Sequence, residues 1–280
     1  MLFHTLRNVL AVGILFSPVA SASASPDLDV SNIDNYFLNR FPTLSLNDFV
    51  NGAYALNNDL AAQFKSISEF SPIEIYIEQG KTLYETPFPN GKYYKDCLRN
   101  GGIGIAQFYP YFDGKDGKVK SLSYEINQCR IRNSAPEYAF SDQELLAILA
   151  YLTATSAGKK VTVTIPDDPR ALQAYEEGKR YYYSRRGKLN LSCSHCHVQY
   201  AGRKFRGNVL SPALGQATHW PVYHTSAGIL GSLHGRYQGC IQAMGEEPPK
   251  DLQSDLYNNL EYFHATMSNG IVMPGPVTRN

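Results

Sequence analysis

The stretch LNLSCSHCHVQYAG, residues 189–202, places Cys193 and Cys196 three positions apart, with His197 directly after the second cysteine. The whole chain of 280 residues contains only 5 Cys and 7 His. Because both residue types are rare here, two thiols and an imidazole at this spacing indicate a chemical site rather than ordinary core packing.

The pattern C-x-x-C-H is typical of covalent attachment of a c-type haem. Cys193 and Cys196 would bond the two vinyl groups of one porphyrin, and His197 would bind its iron. A zinc site and a simple disulfide between the two cysteines are the alternatives. The zinc alternative is the weaker because no further C-x-x-C or H-x-x-x-H pair follows in the sequence.

Residues 1–24 have the features of a secretory signal peptide. Arg7 precedes an apolar run from about Val9 to Ala20, and small residues near positions 20–24 fit an A-x-A cleavage site. The run is too short to span a membrane, and no later segment approaches about 20 apolar residues. We therefore expect an exported, periplasmic protein without a membrane span, in an oxidising compartment where an unpaired thiol is unusual.

The composition is that of an ordinary globular protein. Hydrophobic residues make up 43% of the chain and charged residues 18%. The net charge of +1 argues against nucleic acid as a partner, because binding to the phosphate backbone needs a surplus of Lys and Arg.

Apolar periodicity and capping residues predict a mainly α-helical fold. We expect residues 25–43 to form an extended arm, and helices in the following segments: 45–67, 141–158 with a capping box of Ser141 and Glu144, 168–187 with Asp168 as N-cap and Gly187 as the stop, and 254–270. A boundary near residue 166 then divides the mature chain into domains of residues 25–166 and 167–280.

The two halves align with each other. Pro110 and Cys129 lie 19 residues apart, as do Pro221 and Cys240, which gives a common offset of 111. At this offset three residues near the end of each half correspond, namely Leu145 with Leu256, Leu149 with Leu260 and Tyr151 with Tyr262. The sequence therefore predicts two tandem cytochrome c-like domains, the first lacking haem because it has no C-x-x-C-H.

A shared dipeptide also marks the beginning of each half. Gly-Lys followed by tyrosines occurs at Gly91 and again at Gly178. We expect these two glycines to be equivalent positions of the repeat.

The motif leaves open which residue binds the other side of the iron. The candidates in the second half are Met244, Met267, Met273, His219, His224, His234, His264 and Cys240. If the haem takes both cysteines of the motif, Cys97 and Cys129 remain in the first half and can form a disulfide, so that Cys240 is unpaired. Arg236 lies one helical turn before Cys240, where a cation favours the thiolate.

The order of G-K-x-Y-Y, C-x-x-C-H, W-P-x-Y and R-x-x-x-C in the second half resembles the SoxA family. This family comprises the catalytic cytochrome subunits of bacterial SoxAX complexes. The resemblance covers the chain from about residue 70 onward, and its specific parts are CSHCH at 193–197 and RYQGC at 236–240. With a single C-x-x-C-H, the chain resembles the mono-haem members, in which two cysteines form a disulfide; these are Cys97 and Cys129 here.

The resemblance implies roles for individual residues and molecules. His197 and Cys240 would be the axial ligands of one c-type haem, Cys240 would also accept sulfur as a persulfide, and Arg236 would hold the anion. The implied activity is that of an L-cysteine S-thiosulfotransferase, which joins thiosulfate to a cysteine of a SoxYZ-like carrier protein. The implied partner subunit is a SoxX-like cytochrome c.

Two other functions remain open at the level of sequence. A thiosulfate dehydrogenase would couple two thiosulfates to tetrathionate, but such enzymes usually have two C-x-x-C-H motifs. A plain electron carrier would use a methionine as the second iron ligand, with Cys240 incidental.

Overall fold

Helices form about half of the described part of the chain. The computed structural model describes residues 25–69 and 71–279, so the predicted signal peptide at residues 1–24 lies outside the described residues. The helices are α1 (Pro26–Arg40), α2 (Asn58–Glu69), α3 (Ile73–Glu85), α4 (Leu122–Arg132), α5 (Gln143–Ala154), α6 (Pro169–Tyr183), α7 (Leu233–Ala243) and α8 (Asp255–Thr266). No helix among the described residues is both long and apolar enough to cross a lipid bilayer.

Short strands connect the helices. They are β1 (Tyr111–Asp113), β2 (Lys118–Lys120), β3 (Lys204–Phe205), β4 (Asn208–Val209), β5 (Val222–His224), β6 (Ile229–Gly231) and β7 (Val277–Arg279). Three of the neighbouring pairs, β1 with β2, β3 with β4 and β5 with β6, form antiparallel hairpins. The C-terminal strand β7 adds to β5 in parallel, so β5 is the central strand of a three-stranded sheet.

Helix α6 begins where the sequence predicts. Asp168 is its N-cap, and Oδ1 of this residue accepts a hydrogen bond of 2.8 Å from the Arg170 amide. Helix α5 begins one residue later than the predicted capping box, because Asp142 rather than Ser141 is the N-cap. Helix α6 ends at Tyr183, before Gly187, which lies in the turn that follows.

The prediction of an extended arm at residues 25–43 is wrong, because α1 is a regular helix. Pro26 suits the first helical turn, and the acidic residues Asp27 and Asp29 lie at the positive end of the helix dipole. The buried residues Ile33 and Phe37 are four positions apart, so they share one face. A short apolar stripe on an otherwise polar sequence was insufficient to indicate this helix.

The helix predicted at residues 45–67 is divided in two. A 3-10 helical segment covers Leu46–Leu56, and Gly52 within it has φ +58°. A Cβ at Gly52 would lie 3.3 Å from the Ser211 Cβ, so the chain passes close to the second half at this point. Helix α2 then starts afresh, with the Asn57 side chain accepting a 2.9 Å hydrogen bond from the Leu60 amide.

The same succession of elements occurs twice. We call residues 73–154 the first unit, which contains α3, β1, β2, α4 and α5, and residues 169–266 the second unit, which contains α6, β5, β6, α7 and α8. The offset of 111 holds for β1 and β5, for β2 and β6, and for α4 and α7. The peptide bonds Tyr109–Pro110 and Trp220–Pro221 are both cis.

The final helices correspond at an offset of 112, not 111. Helix α5 begins at Gln143 and α8 at Asp255, so Leu145 is equivalent to Tyr257 rather than to Leu256. Leu145 and Tyr257 are each fully buried, which supports this alignment. The connection between the last two helices is therefore one residue longer in the second unit.

The glycine equivalent to Gly178 is Gly80, so the predicted match with Gly91 is wrong. A Cβ at Gly80 would overlap the Ala147 carbonyl, and a Cβ at Gly178 would overlap the Asn259 carbonyl. Each glycine thus allows the first and last helix of its unit to pack backbone against backbone. Gly91 lies in a turn beyond α3 with φ +78°, where a Cβ would meet nothing within 4 Å.

The two units make reciprocal contacts. The Gln143 side chain, at the start of α5, accepts from the Leu230 amide (2.9 Å) and donates to the Leu230 carbonyl (3.2 Å) in β6. At the start of α8, Asp255 pairs with Lys118 of β2 at 3.2 Å. Each hairpin therefore contacts the last helix of the other unit, and buried residues of both units belong to one continuous core.

The N-terminal helix α1 packs on the second unit. Arg40 donates from Nη1 to the carbonyls of Val198 (2.6 Å) and Gln199 (2.9 Å), and from Nη2 to Ala201 (2.8 Å). Asp29 pairs with Lys179 of α6 at 2.6 Å. These contacts hold the backbone that directly follows His197.

The domain boundary expected near residue 166 stays a prediction.

We predict that Gly178→Ala lowers the free energy of unfolding by about 2–4 kcal/mol, because the added methyl forces α6 away from α8. Chemical denaturation of the purified protein measures the change. The control is Gly114→Ala in the β1–β2 turn, where a Cβ would meet only Asp168 Oδ2, at 3.9 Å. Equal unfolding midpoints for the two variants would contradict the close helix crossing.

We predict that Arg40→Met lowers the free energy of unfolding by about 2 kcal/mol, because carbonyls at the end of the motif lose a charged donor. Arg40→Lys should give an intermediate value, since a single ammonium cannot reproduce the fork of the guanidinium. Denaturant unfolding distinguishes the three proteins. An unchanged midpoint in Arg40→Met would show that α1 does not support this segment.

Candidate haem and thiol site

The C-x-x-C-H segment forms a short helix of the π type. We call residues His195–Gln199 the motif helix; its characteristic bond runs from the Tyr200 amide to the His195 carbonyl at 2.8 Å. Ser192 begins the segment, with its hydroxyl 2.6 Å from Nδ1 of His195. The His195 ring is thereby engaged locally, which leaves His197 as the free imidazole of the motif.

The His197 ring is oriented by a backbone carbonyl. Its Nδ1 lies 2.9 Å from the Ser211 carbonyl oxygen and 2.8 Å from the Gln216 side-chain amide. The proton is assigned to Nδ1 because a carbonyl can only accept, whereas an amide can present either its nitrogen or its oxygen. Burial lowers the pKa of His197, so the ring is neutral at pH 7. The Nε2 lone pair is therefore available to a metal, in the arrangement that orients metal-binding histidines. Ser211 is 14 residues away, and no sequence rule predicted its role.

The three remaining cysteines, Cys193, Cys196 and Cys240, are free and half-buried thiols. Burial raises the pKa of Cys193 to about 12; Arg186 opposes this shift, and the charges of Cys240 and Cys196 add to it. Burial likewise raises the pKa of Cys196. Cys240 raises the pKa of Cys193, and Cys196 raises the pKa of Cys240, so these thiols influence one another electrostatically.

Cys240 and Arg236 lie on α7, as the sequence predicts. Ser232 caps this helix by accepting a 3.0 Å hydrogen bond from the Gly235 amide. Arg236 is exposed. Arg236 lowers the pKa of Cys240, as the sequence predicts, but burial raises that pKa by more. A thiolate at Cys240 therefore needs additional positive charge, such as a bound metal.

Two of the other histidines are engaged elsewhere. His264 accepts from the Tyr237 hydroxyl at Nδ1 (2.8 Å) and contacts the Ala213 carbonyl through Nε2 (3.3 Å). Burial lowers the pKa of His264 to about 3. His234 has the Leu252 carbonyl on one nitrogen and a Glu261 carboxylate oxygen 2.7 Å from the other.

The other candidate iron ligands also lie in the packed interior, with the exception of His224. His219 and the three methionines of the second half are each less than 10% exposed, namely Met244, Met267 and Met273. His224 is half-buried and lies beside Arg236. Burial alone does not separate these candidates, and Cys240 is the one that shifts the pKa of a motif cysteine.

The donor set fits a c-type haem. Cys193 and Cys196 are separate thiols, as thioether formation requires, and the neutral His197 ring has its Nε2 free. The alternative disulfide between Cys193 and Cys196 is not formed. Within residues 25–69 and 71–279, no group of three or more His, Cys, Asp or Glu is arranged to hold a metal ion, which disfavours the zinc alternative.

The first unit has a disulfide where the second unit has the free thiol of Cys240. Cys97 and Cys129 are bonded, with a Cα–Cα distance of 5.7 Å. Cys129 is the equivalent of Cys240, and Cys97 follows α3 as the motif follows α6. The Asn133 side chain donates to the Cys129 carbonyl at 2.8 Å and supports the closed arrangement.

The segment of chain that contains the motif and Cys240 is rich in positive charge, which the net charge of the whole chain conceals. Residues 178–245 contain nine Lys or Arg and no Asp or Glu. Most of these cations are exposed, including Arg203, Lys204 and Arg206 on the β3–β4 hairpin and Arg236 on α7. Such a segment attracts anions. A count over the whole chain could not reveal it.

Comparison with known proteins gives consistent results. The profile of the family described as "SoxA/TsdA, cytochrome c domain" matches residues 79–161, which lie mostly in the first unit. The crystal structure of SoxXA from P. pantotrophus superimposes with a TM-score of 0.71 at 25% identity, covering 78% of this chain and 84% of that one.

Two relatives are similar over nearly their whole length. The chain is 43% identical to L-cysteine S-thiosulfotransferase subunit SoxA of Chlorobaculum tepidum, over 90% of this chain and 87% of that protein. It is 41% identical to the protein of the same name from Allochromatium vinosum, over 92% of this chain and 91% of that protein. The chain therefore belongs to the SoxA family of L-cysteine S-thiosulfotransferase subunits, which are cytochrome c-type proteins.

Proposed function

We propose that this chain joins thiosulfate to a cysteine of a carrier protein, as the SoxA subunit of a two-cytochrome complex. The observation that carries the proposal is the free thiol of Cys240, which lies one helical turn after the exposed Arg236. The pKa of this thiol is influenced by both Arg236 and the motif residue Cys196. The relatives named L-cysteine S-thiosulfotransferase subunit SoxA support the same activity.

The second unit would hold one c-type haem. Cys193 and Cys196 would form the thioether bonds, and His197 and Cys240 would bind the iron. The iron would add the positive charge that keeps the Cys240 sulfur ionised, and the two electrons released in the reaction would leave through c-type haem, with the haem of the SoxX-like partner subunit as the main exit.

The first unit would be a cytochrome c-like domain without haem. Its Cys97–Cys129 disulfide joins the positions that correspond to the motif region and to Cys240. A bond between these two positions holds the loop after α3 directly against α4. The first unit also has no C-x-x-C-H. It would therefore serve as a scaffold for the second unit.

The reaction is an oxidative conjugation. Thiosulfate and a carrier thiol give a new S–S bond, so that R–SH and S₂O₃²⁻ become R–S–S–SO₃⁻, one proton and two electrons. The Cys240 sulfur, or a persulfide on it, would take up thiosulfate first and then release it to the carrier cysteine by thiol–disulfide exchange. The carrier thiolate forms the new bond to sulfur, and Cys240 is the leaving sulfur.

Positive charge would bring thiosulfate to this sulfur atom. Arg236 would bind the sulfonate group through paired hydrogen bonds during both transfers. The segment of residues 178–245, which has no acidic side chain, would raise the local concentration of the dianion.

The partners and location follow from the family and from the N-terminal sequence. The solved relative is titled as SoxXA, which supports a SoxX-like cytochrome c subunit as partner of this chain. The carrier would be a SoxYZ-like protein. Residues 1–24 would direct the chain to the periplasm and be removed there.

The two alternative functions have less support. A thiosulfate dehydrogenase would form tetrathionate without a carrier protein, and a plain electron carrier would need a methionine near the iron. The relatives that match over most of the chain are named as thiosulfotransferase subunits.

We predict one covalently attached haem per chain. Changing Cys193 and Cys196 together to Ala should abolish covalent attachment, whereas changing Cys97 and Cys129 together to Ala should leave the haem content unchanged. Intact mass under denaturing conditions and the alkaline pyridine spectrum measure this. A second haem, or haem lost with the Cys97–Cys129 pair, would contradict the assignment of the two units.

We predict that Cys240→Ala reduces conjugation below about 1% of wild type with the haem content unchanged, because the transferring sulfur is lost. Arg236→Gln should raise the KM for thiosulfate about tenfold to hundredfold, the worth of a charged hydrogen bond. The readout is thiosulfate-dependent mass gain of the carrier protein. Arg132→Gln, at the end of the equivalent helix α4, is the control, and an equal effect there would argue against a specific role for Arg236.

A further inference from the structure

Arg236 contacts an imidazole rather than a carboxylate. Its Nη2 lies 3.4 Å from Nε2 of His224 on β5. Among the described residues, no Asp or Glu forms an ion pair with this arginine. The guanidinium therefore has a polar neighbour on this side without an opposing charge.

The His224 ring is held firmly. β5 is the central strand of its sheet, bonded to β6 on one side and to β7 on the other. A Cβ at Gly231, on the neighbouring strand, would lie 3.0 Å from His224 Cδ2, so the glycine leaves room for the ring. The Trp220 ring centroid lies 6.2 Å from that of His224. An exposed arginine is thus in contact with a side chain on rigid backbone.

The protonation state of the ring suits this contact. Burial, together with the charge of Arg236, lowers the pKa of His224, so the imidazole is neutral at pH 7. A neutral ring with its proton on Nδ1 accepts from the guanidinium at Nε2. Such a partner fixes the direction of the arginine without cancelling its charge, as a carboxylate would.

The first unit provides an internal comparison. At the positions of His224, Gly231 and Arg236 it has Asp113, Lys120 and Glu125. Glu125 accepts from the Tyr111 hydroxyl at 2.9 Å and lies 3.7 Å from Arg132. The unit that has the disulfide in place of a free thiol therefore has acidic residues where the second unit has a cation and its imidazole neighbour.

We propose that His224 is a positioning residue for thiosulfate, holding the Arg236 guanidinium toward the anion that reacts at Cys240. Gly231 is the residue that makes room for it. This inference rests on the proposed function. It adds a specificity element that neither the C-x-x-C-H motif nor the R-x-x-x-C motif contains.

The test uses two isosteric variants in the haem-loaded complex with its partner subunit and the carrier protein. In His224→Gln the side-chain amide can place an oxygen near the position of Nε2, whereas His224→Asn reaches only about as far as Nδ1. We expect His224→Asn to raise the KM for thiosulfate about fivefold to tenfold with kcat within about twofold, the worth of one hydrogen bond. His224→Gln should restore a KM within about twofold of wild type.

A second measurement separates positioning from a general structural effect. In the Arg236→Gln background, His224→Asn should cause no further rise in KM, because the guanidinium that it orients is gone. Independent losses in the double variant, an equal effect of Asn and Gln, or a fall in kcat alone would each overturn the proposal. The unfolding midpoint and the visible haem spectrum should be unchanged in all these variants.

Binding of thiosulfate without turnover distinguishes this inference from the proposed function. Calorimetry of the resting complex should give a thiosulfate dissociation constant that rises about fivefold to tenfold in His224→Asn. If wild type conjugates thiosulfate but His224→Asn binds it equally well, the inference fails and the function stands. If wild type binds thiosulfate in a His224-dependent way but forms no conjugate, the proposed function fails and the anion site stands.

Discussion

The close crossing of α6 and α8 at Gly178 is the constraint on which the site depends. With no side chain between them, the backbone of α6 meets the carbonyl of Asn259, and the motif that follows α6 is carried to the side of α8. His264 on α8 then reaches Tyr237 on α7 and the Ala213 carbonyl. Helix α7, which contains Cys240, and the Ala213 backbone therefore both contact α8, which packs closely against α6.

A single architecture used twice gives opposite chemical results in the two units. In the first, Cys129 is bonded to Cys97 and is shielded from solvent, so its sulfur is not available for exchange. In the second, the equivalent Cys240 stays free, and burial keeps its thiol protonated until further positive charge is supplied. Under the proposed function, the positive charge that this sulfur needs would come from the group bound at the site.

Positive charge is concentrated in one segment of the chain and is not spread evenly along it. The net charge of +1 is the balance between residues 178–245, which contain no acidic side chain, and a remainder that is acidic. Arg236 likewise has no carboxylate beside it in this contact, since its neighbour is the neutral ring of His224. A small dianion would be attracted to this basic segment and would then meet Arg236.

The sequence by itself determined the C-x-x-C-H motif at 193–197, helices α5, α6 and α8, the repeat and the unpaired Cys240, because local spacing and periodicity decide these features. It missed α1, α3 and α4, the division of the helix predicted at residues 45–67, the equivalence of Gly80 with Gly178, and the contacts of His197 and Arg236. The carbonyl that orients His197 and the imidazole beside Arg236 come from distant segments or from a neighbouring strand. Such contacts depend on how helices and strands pack, and packing brings together residues that no spacing rule connects.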